Sequence, residues 1–239
     1  LGKSVMTLTA FADLIEDLDC GRVLVIAPPR VAKKTWPDEI GEWAHTAGFS
    51  YTHIVGTPAK RLQLLKRPTT FHIMSSDLLP WMLGAMGGHA PDKRRIKQLL
   101  TGPKYDGLET PEQAAQMRVA QLKMLGVEAT TENAEDLATR AAKIENKWRP
   151  PVHVGYSAIV LDESTKAKSH DSNRFRSLRL MAPRVDYFLI LTGTPAANGL
   201  QDLWAQIYLL DQGQRLGQNI TAFRQRWCKQ GYDGYGYVV

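Results

Sequence analysis

The sequence predicts an α/β protein with a mostly parallel sheet flanked by helices, and three observations predict it. Short runs rich in Val, Leu and Ile alternate with segments of helical apolar spacing through most of the 239 residues. That is the order in which crossover helices join parallel strands. The strand candidates are continuous apolar runs rather than alternating ones, the pattern of strands covered on both faces. The two late strand candidates each run into polar turn residues and then a helix.

Residues 4–18 carry helical apolar spacing, and 22–27 read as a buried strand that Pro28-Pro29 stops. A helix over 31–43, a short strand at 51–55, a helix at 58–65, a strand at 70–74 and a helix at 77–83 follow. Strands at 158–161 and 187–191 complete the series. Residues 84–151 break this rhythm: Gly87-Gly88, Pro91, Gly102-Pro103 and Gly107 punctuate the first part, and two helices come after. Thr110 with Pro111 is a helix start and Gly126 a stop. In the second helix Leu137, Ala141, Ile144 and Trp148 recur at spacings of four, three and four, one apolar stripe. The segment is expected to be a helical insertion, packed on the main sheet or on a partner.

This length suits one large domain or two small ones, and the 44% hydrophobic content is enough for a core. The longest apolar runs are about five residues against the roughly 20 of a membrane-spanning helix, so a transmembrane protein is excluded. Cys20 and Cys228 lie far apart and form no CxxC pair, which argues against a disulfide scaffold or a zinc ribbon and for a reducing, cytosolic compartment. The six histidines never pair at metal-ligand spacing. Leu1 in place of Met, with no basic-then-apolar leader, is expected of an internal fragment rather than a secreted precursor. Trp36, Trp43 and Trp204 sit on amphipathic segments and are expected in the core. The net charge is +6, and most of the excess lies in one stretch, where Lys166, Lys168, Arg174, Arg176, Arg179 and Arg184 face only Asp171. Such a stretch is either a solvated helix face or a surface for an anionic partner, with nucleic acid foremost.

Three motifs carry chemistry. In Leu1-Gly2-Lys3-Ser4, a helix follows at once; in a phosphate-binding loop the backbone N–H groups cradle the phosphates, Lys adds a mobile cation and the Ser hydroxyl ligates Mg²⁺. A chance tripeptide is the alternative. Ala158 to Ser164 is an apolar strand ending in two carboxylates, and ligands gather beyond the carboxyl ends of parallel strands. Asp162 can hold Mg²⁺ and Glu163 can polarise an attacking water; alternatively the pair caps the next helix. Leu189 to Asn198 is a strand ending in Thr192-Gly193-Thr194-Pro195, which alone could be turn chemistry. The order of the three, with the last two 30 residues apart, argues for more.

Together with Val25 to Val31, Trp36 and Glu39-Ile40, these segments resemble motifs I, Ia, II and III of superfamily-two helicases. The similarity is greatest to Swi/Snf-type ATPases, including phage and bacterial relatives. Asp202-Leu203-Trp204 through Leu210 and Lys168 add to it. The resemblance implies a RecA-like P-loop lobe, the first of two in a nucleic-acid-dependent ATPase that translocates on duplex DNA. It implies ATP and Mg²⁺ as ligands of Gly2, Lys3, Ser4 and Asp162, with Glu163 activating water. Thr192, Gly193, Thr194 and Asn198 would couple the nucleotide state to DNA. Pro28, Arg30, Ser75, Ser76 and Lys168 would meet the DNA, by sequence-independent backbone contacts for the first four. It also implies a second RecA-like lobe beyond Val239, and a cytoplasmic (bacterial or phage-infected cell) or nuclear setting. Tyr232, Tyr235 and Tyr237 lie in a Gly-rich tail that reads as a flexible exit toward that lobe, with an aromatic nucleic-acid platform as the alternative.

Ser164 departs from the family, where His or Asp is common, so a hydroxyl is expected to link motif II to motif III. Two other readings compete: a nucleic-acid-binding or scaffold module with a vestigial nucleotide site, and a stand-alone P-loop kinase. The lack of a lid-like arginine cluster after Thr192 counts against the kinase.

Overall fold

A computed structural model describes residues 2–17, 19–102, 110–196, 199, 201–230 and 237–238. The chain divides into two units, one formed by residues 1–88 and 150–239, the other by 89–149.

The first unit is built on five parallel strands, β1 (Val23–Ala27), β2 (Tyr51–Ile54), β3 (Phe71–Ser75), β4 (Ala158–Asp162) and β5 (Tyr187–Leu191), in the order β2-β3-β1-β4-β5. All four pairings are parallel, with Val23 level with both Phe71 and Ala158. Every residue of β1 and β4 is buried, as their unbroken apolar runs require. Successive side chains of a strand point to opposite faces. Val23, Val25, Ala27, Phe71, Ile73, Ala158 and Val160 accordingly meet Leu8 and Phe11 of α1 (Lys3–Glu16) and Trp36 and Ile40 of α2 (Trp36–Glu42). The first unit also holds α3 (Pro58–Leu65) and α4 (Leu79–Ala85).

Among the described residues the second unit holds three helices, α5 (Lys93–Leu100), α6 (Pro111–Met124) and α7 (Ala134–Glu145), while the first unit resumes with α8 (Asn173–Met181), α9 (Gln201–Asp211) and α10 (Ile220–Trp227). Phe175 of α8 and Trp204 and Tyr208 of α9 form one aromatic cluster, with ring centroids 5.2 to 5.9 Å apart. Helix starts are set by short polar caps: Thr57 accepts from the Lys60 N–H, Ser172 from Phe175 and Asn219 from Ala222. Lys229–Gln230 (β6) and Tyr237–Val238 (β7) form a separate antiparallel pair, in which the Tyr237 ring lies 4.7 Å from the Arg224 guanidinium; Tyr232 and Tyr235 lie outside the described residues. Both cysteines are free, and no described helix is long and apolar enough to cross a membrane.

The structure departs from the sequence reading in three places. The helix expected over 31–43 opens as a π-helical turn, Val31–Thr35, and stops at Glu42. Trp43 is thereby extended and 40% exposed, off the stripe that buries Trp36, and its indole N–H donates to Glu39. In the second unit α5 was not expected at all. There α7 buries Ala134, Ala138 and Ala142, and Ile144 is exposed, because small residues let α7 approach its neighbours closely while Trp148 lies beyond the helix end. Thr110 and Gly126 do bound α6. Arg118 of α6 is buried, and its guanidinium donates to Glu135, Gln121 and the carbonyls of Leu99 and Thr101. A buried cation persists only when so satisfied.

His72 of β3 is fully buried. The Arg67 carbonyl can only accept, so Nε2 carries the ring hydrogen and donates to it at 3.1 Å, and Nδ1 accepts from the Tyr156 hydroxyl at 2.6 Å. Burial holds the imidazole neutral, with its pKa lowered from 6.5 to about 4, and raises the Tyr156 phenol well above its ordinary value.

Candidate active site

The connection leaving β1 leads to the β2 edge of the sheet, and the one leaving β4 leads to β5 at the other edge. A crevice at such a switch point, beyond the carboxyl ends of the two strands, is where open parallel sheets bind ligands. Asp162 ends β4 there and is 6% exposed. Its Oδ2 accepts the Trp36 indole N–H at 3.0 Å and its Oδ1 the Glu163 backbone N–H at 2.9 Å. Both carboxylate oxygens are therefore held in place while each keeps a lone pair. Among the described residues no cation pairs with Asp162.

Glu163 adopts φ 52, ψ 56, the left-handed region that costs a residue with a side chain roughly 1–2 kcal/mol. This single residue turns the chain from β4 into the 3-10 segment Ser164–Ala167. Its carboxylate lies 3.3 Å from the Lys3 ammonium, both half-exposed. Lys3 opens α1, and Gly2 before it takes φ 71, a conformation glycine adopts without penalty. No side chain caps α1 and no acid lies in its first turn, so its leading N–H groups and dipole favour an anion. Ser4 follows in that turn, half-buried.

Beyond β5, the Thr192 hydroxyl accepts the Thr194 N–H at 3.2 Å, a local turn that presents Gly193 and Thr194 to solvent. The link between this loop and Asp162-Glu163 runs through a residue the sequence did not single out. Ser164, fully buried, donates its hydroxyl to Gln206 Oε1 at 2.5 Å, and Gln206 Nε2 donates to the carbonyls of Pro195 at 2.6 Å and Asp202 at 2.9 Å. The expected hydroxyl is present, and a carboxamide on α9 completes the bridge. Gln206 stands out in QDLWAQIYLLD as a polar residue on the buried face, four after Asp202, which is the signal that could have found it. Leu1 and Asn198 lie outside the described residues.

The residues expected to meet nucleic acid are placed unequally. Arg30 is exposed just beyond β1, Pro28 and Ser75 are half-buried, and Ser76 is buried at the start of a 3-10 turn. Lys33 and Lys34, in the π-helical turn that follows Arg30, are exposed too and add cations that sequence reading overlooked. Lys33 also lies close enough to His53 to lower its pKa, behind the larger effect of burial. Much of the basic stretch after Glu163 is spent within the fold. Lys168 pairs with Asp202 at 3.1 Å, Arg174 with Asp77 at 2.5 Å and Arg176 with Asp171 at 3.0 Å, and the Arg179 guanidinium lies 5.1 Å from the Tyr208 ring.

The model of the SNF2-related domain family matches residues 1–229. The chain belongs to this family. It is 27% identical over 237 residues to protein p41 of Acyrthosiphon pisum secondary endosymbiont phage 1, covering 96% of this chain and 38% of that protein. A stretch of 63 residues is 33% identical to CHROMATIN REMODELING 19 of Arabidopsis thaliana, covering 26% of this chain and 8% of that protein. Among solved structures, the Sulfolobus solfataricus SWI2/SNF2 ATPase core in complex with dsDNA superposes with a TM-score of 0.55 over 94% of this chain and 32% of that one, at 17% identity. The chain thus spans about a third of the length of the phage protein and of the solved ATPase core, which it matches along nearly all of its own length. Its sheet and flanking helices are the RecA-like fold of that ATPase core.

Proposed function

We propose that this SNF2-related domain is the ATP-binding lobe of a DNA-dependent ATPase that couples hydrolysis to movement along, or remodelling of, duplex DNA. The observation that carries the reading is the 3.3 Å approach of Lys3 to Glu163, which brings the head of α1 to the carboxyl end of β4 across 160 residues. The glycine-led, uncapped start of α1 suits the phosphates of ATP, with Gly2, Lys3 and Ser4 as the cradle. Lys3 exchanges its partner Glu163 for phosphate oxygens, and the released Glu163 carboxylate orients and polarises the attacking water.

The residues present fit Mg²⁺: Asp162 is a nearly buried carboxylate held by two N–H groups, and the Ser4 hydroxyl is a second hard oxygen donor. When bound, Mg²⁺ neutralises phosphate charge. Gln206 ties Ser164 to the Thr192-Gly193-Thr194 loop, and with Asn198 this loop reports the state of the nucleotide to the DNA. Pro28, Arg30 and Ser75 face the DNA backbone, Ser76 is buried and is left out of that surface, and Lys168 reaches the backbone by leaving Asp202. A second RecA-like lobe supplies an arginine whose worth in such enzymes is about 10³–10⁵ in rate. Work on DNA places the protein in the cytoplasm of a bacterial or phage-infected cell, or in a nucleus.

The test is ATP hydrolysis by the full-length protein with and without duplex DNA. Duplex is expected to raise the rate, and Glu163→Gln to lower it roughly 10²-fold or more. A rate indifferent to duplex, or a Glu163→Gln variant as fast as its parent, overturns the proposal.

A further inference from the structure

We propose that the exposed face of α5, in the second unit, is a further contact surface for the phosphate backbone of duplex DNA. The inference rests on the duplex-DNA reading above. Helix α5, Lys-Arg-Arg-Ile-Lys-Gln-Leu-Leu, holds Lys93, Arg94, Arg95 and Lys97 and no acid. Arg95 is spent within the fold, on the Leu125 carbonyl at 2.6 Å and Glu145 at 3.3 Å. Lys93, Arg94 and Lys97 are exposed, and among the described residues their side chains have no ion-pair or hydrogen-bond partner. They contrast with Lys168, Arg174 and Arg176, each paired with a carboxylate.

Lys97 lies four residues after Lys93 and three after Arg94, so all three share one side of the helix, spread over about 6 Å of its axis. Local stability does not explain them. Lys93 and Arg94 sit in the first turn, where the helix dipole disfavours cations, and Lys93 repels Lys97 one turn away. Asp92 caps the turn through the N–H groups of Arg94 and Arg95 and forms no ion pair with any of the three cations among the described residues. Among the described residues no counterion offsets this broken local rule, which points to an external anion. Arg94, Lys97, Gln98, Thr101, Gly102 and Gln121 line a groove beside this face; Gln121 is used on the Gln98 and Thr101 carbonyls, and the Gln98 and Thr101 side chains are the neutral donors next to the cations. Among the described residues no aromatic side chain lines this groove, and protein hot spots are built on aromatic anchors. Repeated cations with neutral donors and no such anchor suit a nucleic-acid backbone better than an acidic protein.

The test uses the Lys93→Gln, Arg94→Gln, Lys97→Gln triple variant of this chain in duplex binding over a salt series. Expected are a roughly tenfold loss of affinity and a salt dependence shallower by about 2–3 in log–log slope, since each phosphate contact contributes about 0.9. ATP binding should not change. The melting temperature should hold or rise, since the substitution removes cations from the positive end of the helix. A charge-conserving Lys93→Arg, Lys97→Arg variant should bind like the parent. Equal affinity and slope for parent and triple variant overturn this surface and leave the lobe reading intact. Polyglutamate binding that falls in the triple variant while duplex binding does not would make the face an acidic-protein site and overturn it equally. If the parent chain binds no duplex, the surface is overturned whatever the variants do; an ATPase of the full-length protein indifferent to duplex overturns the lobe reading separately.

Discussion

The Ser164 hydroxyl donates to the Gln206 carboxamide oxygen at 2.5 Å, and neither side chain meets solvent. Ser164 follows the two carboxylates of the site directly, and Gln206 holds the Pro195 carbonyl of the loop after β5. One buried amide thus joins the two halves of the candidate site, with both of its N–H donors and its oxygen used.

Gln206→Leu leaves the Pro195 carbonyl and the Ser164 hydroxyl without these bonds and should cost about 1–3 kcal/mol in urea unfolding. If the bridge couples the sites, ATP affinity should change little while stimulation by duplex falls. Combining Gln206→Leu with Ser164→Ala should cost less than the sum of the two, because they break the same bond.

Trp36→Phe keeps the ring in the core and removes the N–H that holds Asp162 Oδ2. A hydrogen bond to a charged group is worth roughly 1.5–3 kcal/mol, so melting should fall accordingly. The Mg²⁺ concentration needed for half-maximal hydrolysis should rise, because the carboxylate is no longer fixed by two donors.

Glu163→Gly should abolish hydrolysis without destabilising the protein. Glycine relieves the left-handed backbone by about 1 kcal/mol, whereas the half-exposed pair with Lys3 contributes less than about 1 kcal/mol. A variant clearly less stable than its parent would show that the turn at φ 52 is not strained.

His72 predicts a pH dependence. Its folded pKa, near 4, is below the 6.5 of an unfolded imidazole, so between these values the unfolded chain binds the extra proton. Stability should therefore fall as pH drops below about 6.5 and level off below 4, a loss of roughly 3 kcal/mol from this group. Comparing urea unfolding of the parent and His72→Leu at pH 7 and near pH 4.5 isolates it: the difference between the two proteins should shrink at the lower pH.

What the sequence determined by itself was local. The continuous apolar runs of β1 and β4 require burial on both faces, hence parallel strands with helices around them. Gly2-Lys3-Ser4 before a helix and Asp162-Glu163 at a strand end are legible because strand ends and helix starts are set by neighbours in the chain. Tertiary structure decided what depends on partners distant in sequence. The indole of Trp36 reaches Asp162 across 126 residues, Gln206 reaches Ser164 across 42, and Lys168 and Arg174 are neutralised by Asp202 and Asp77. A cation written in a sequence carries its charge but not its counterion. For that reason the basic stretch after Glu163 proved largely occupied, while Lys93, Arg94 and Lys97, on a helix with no strong apolar signal, kept charges to offer.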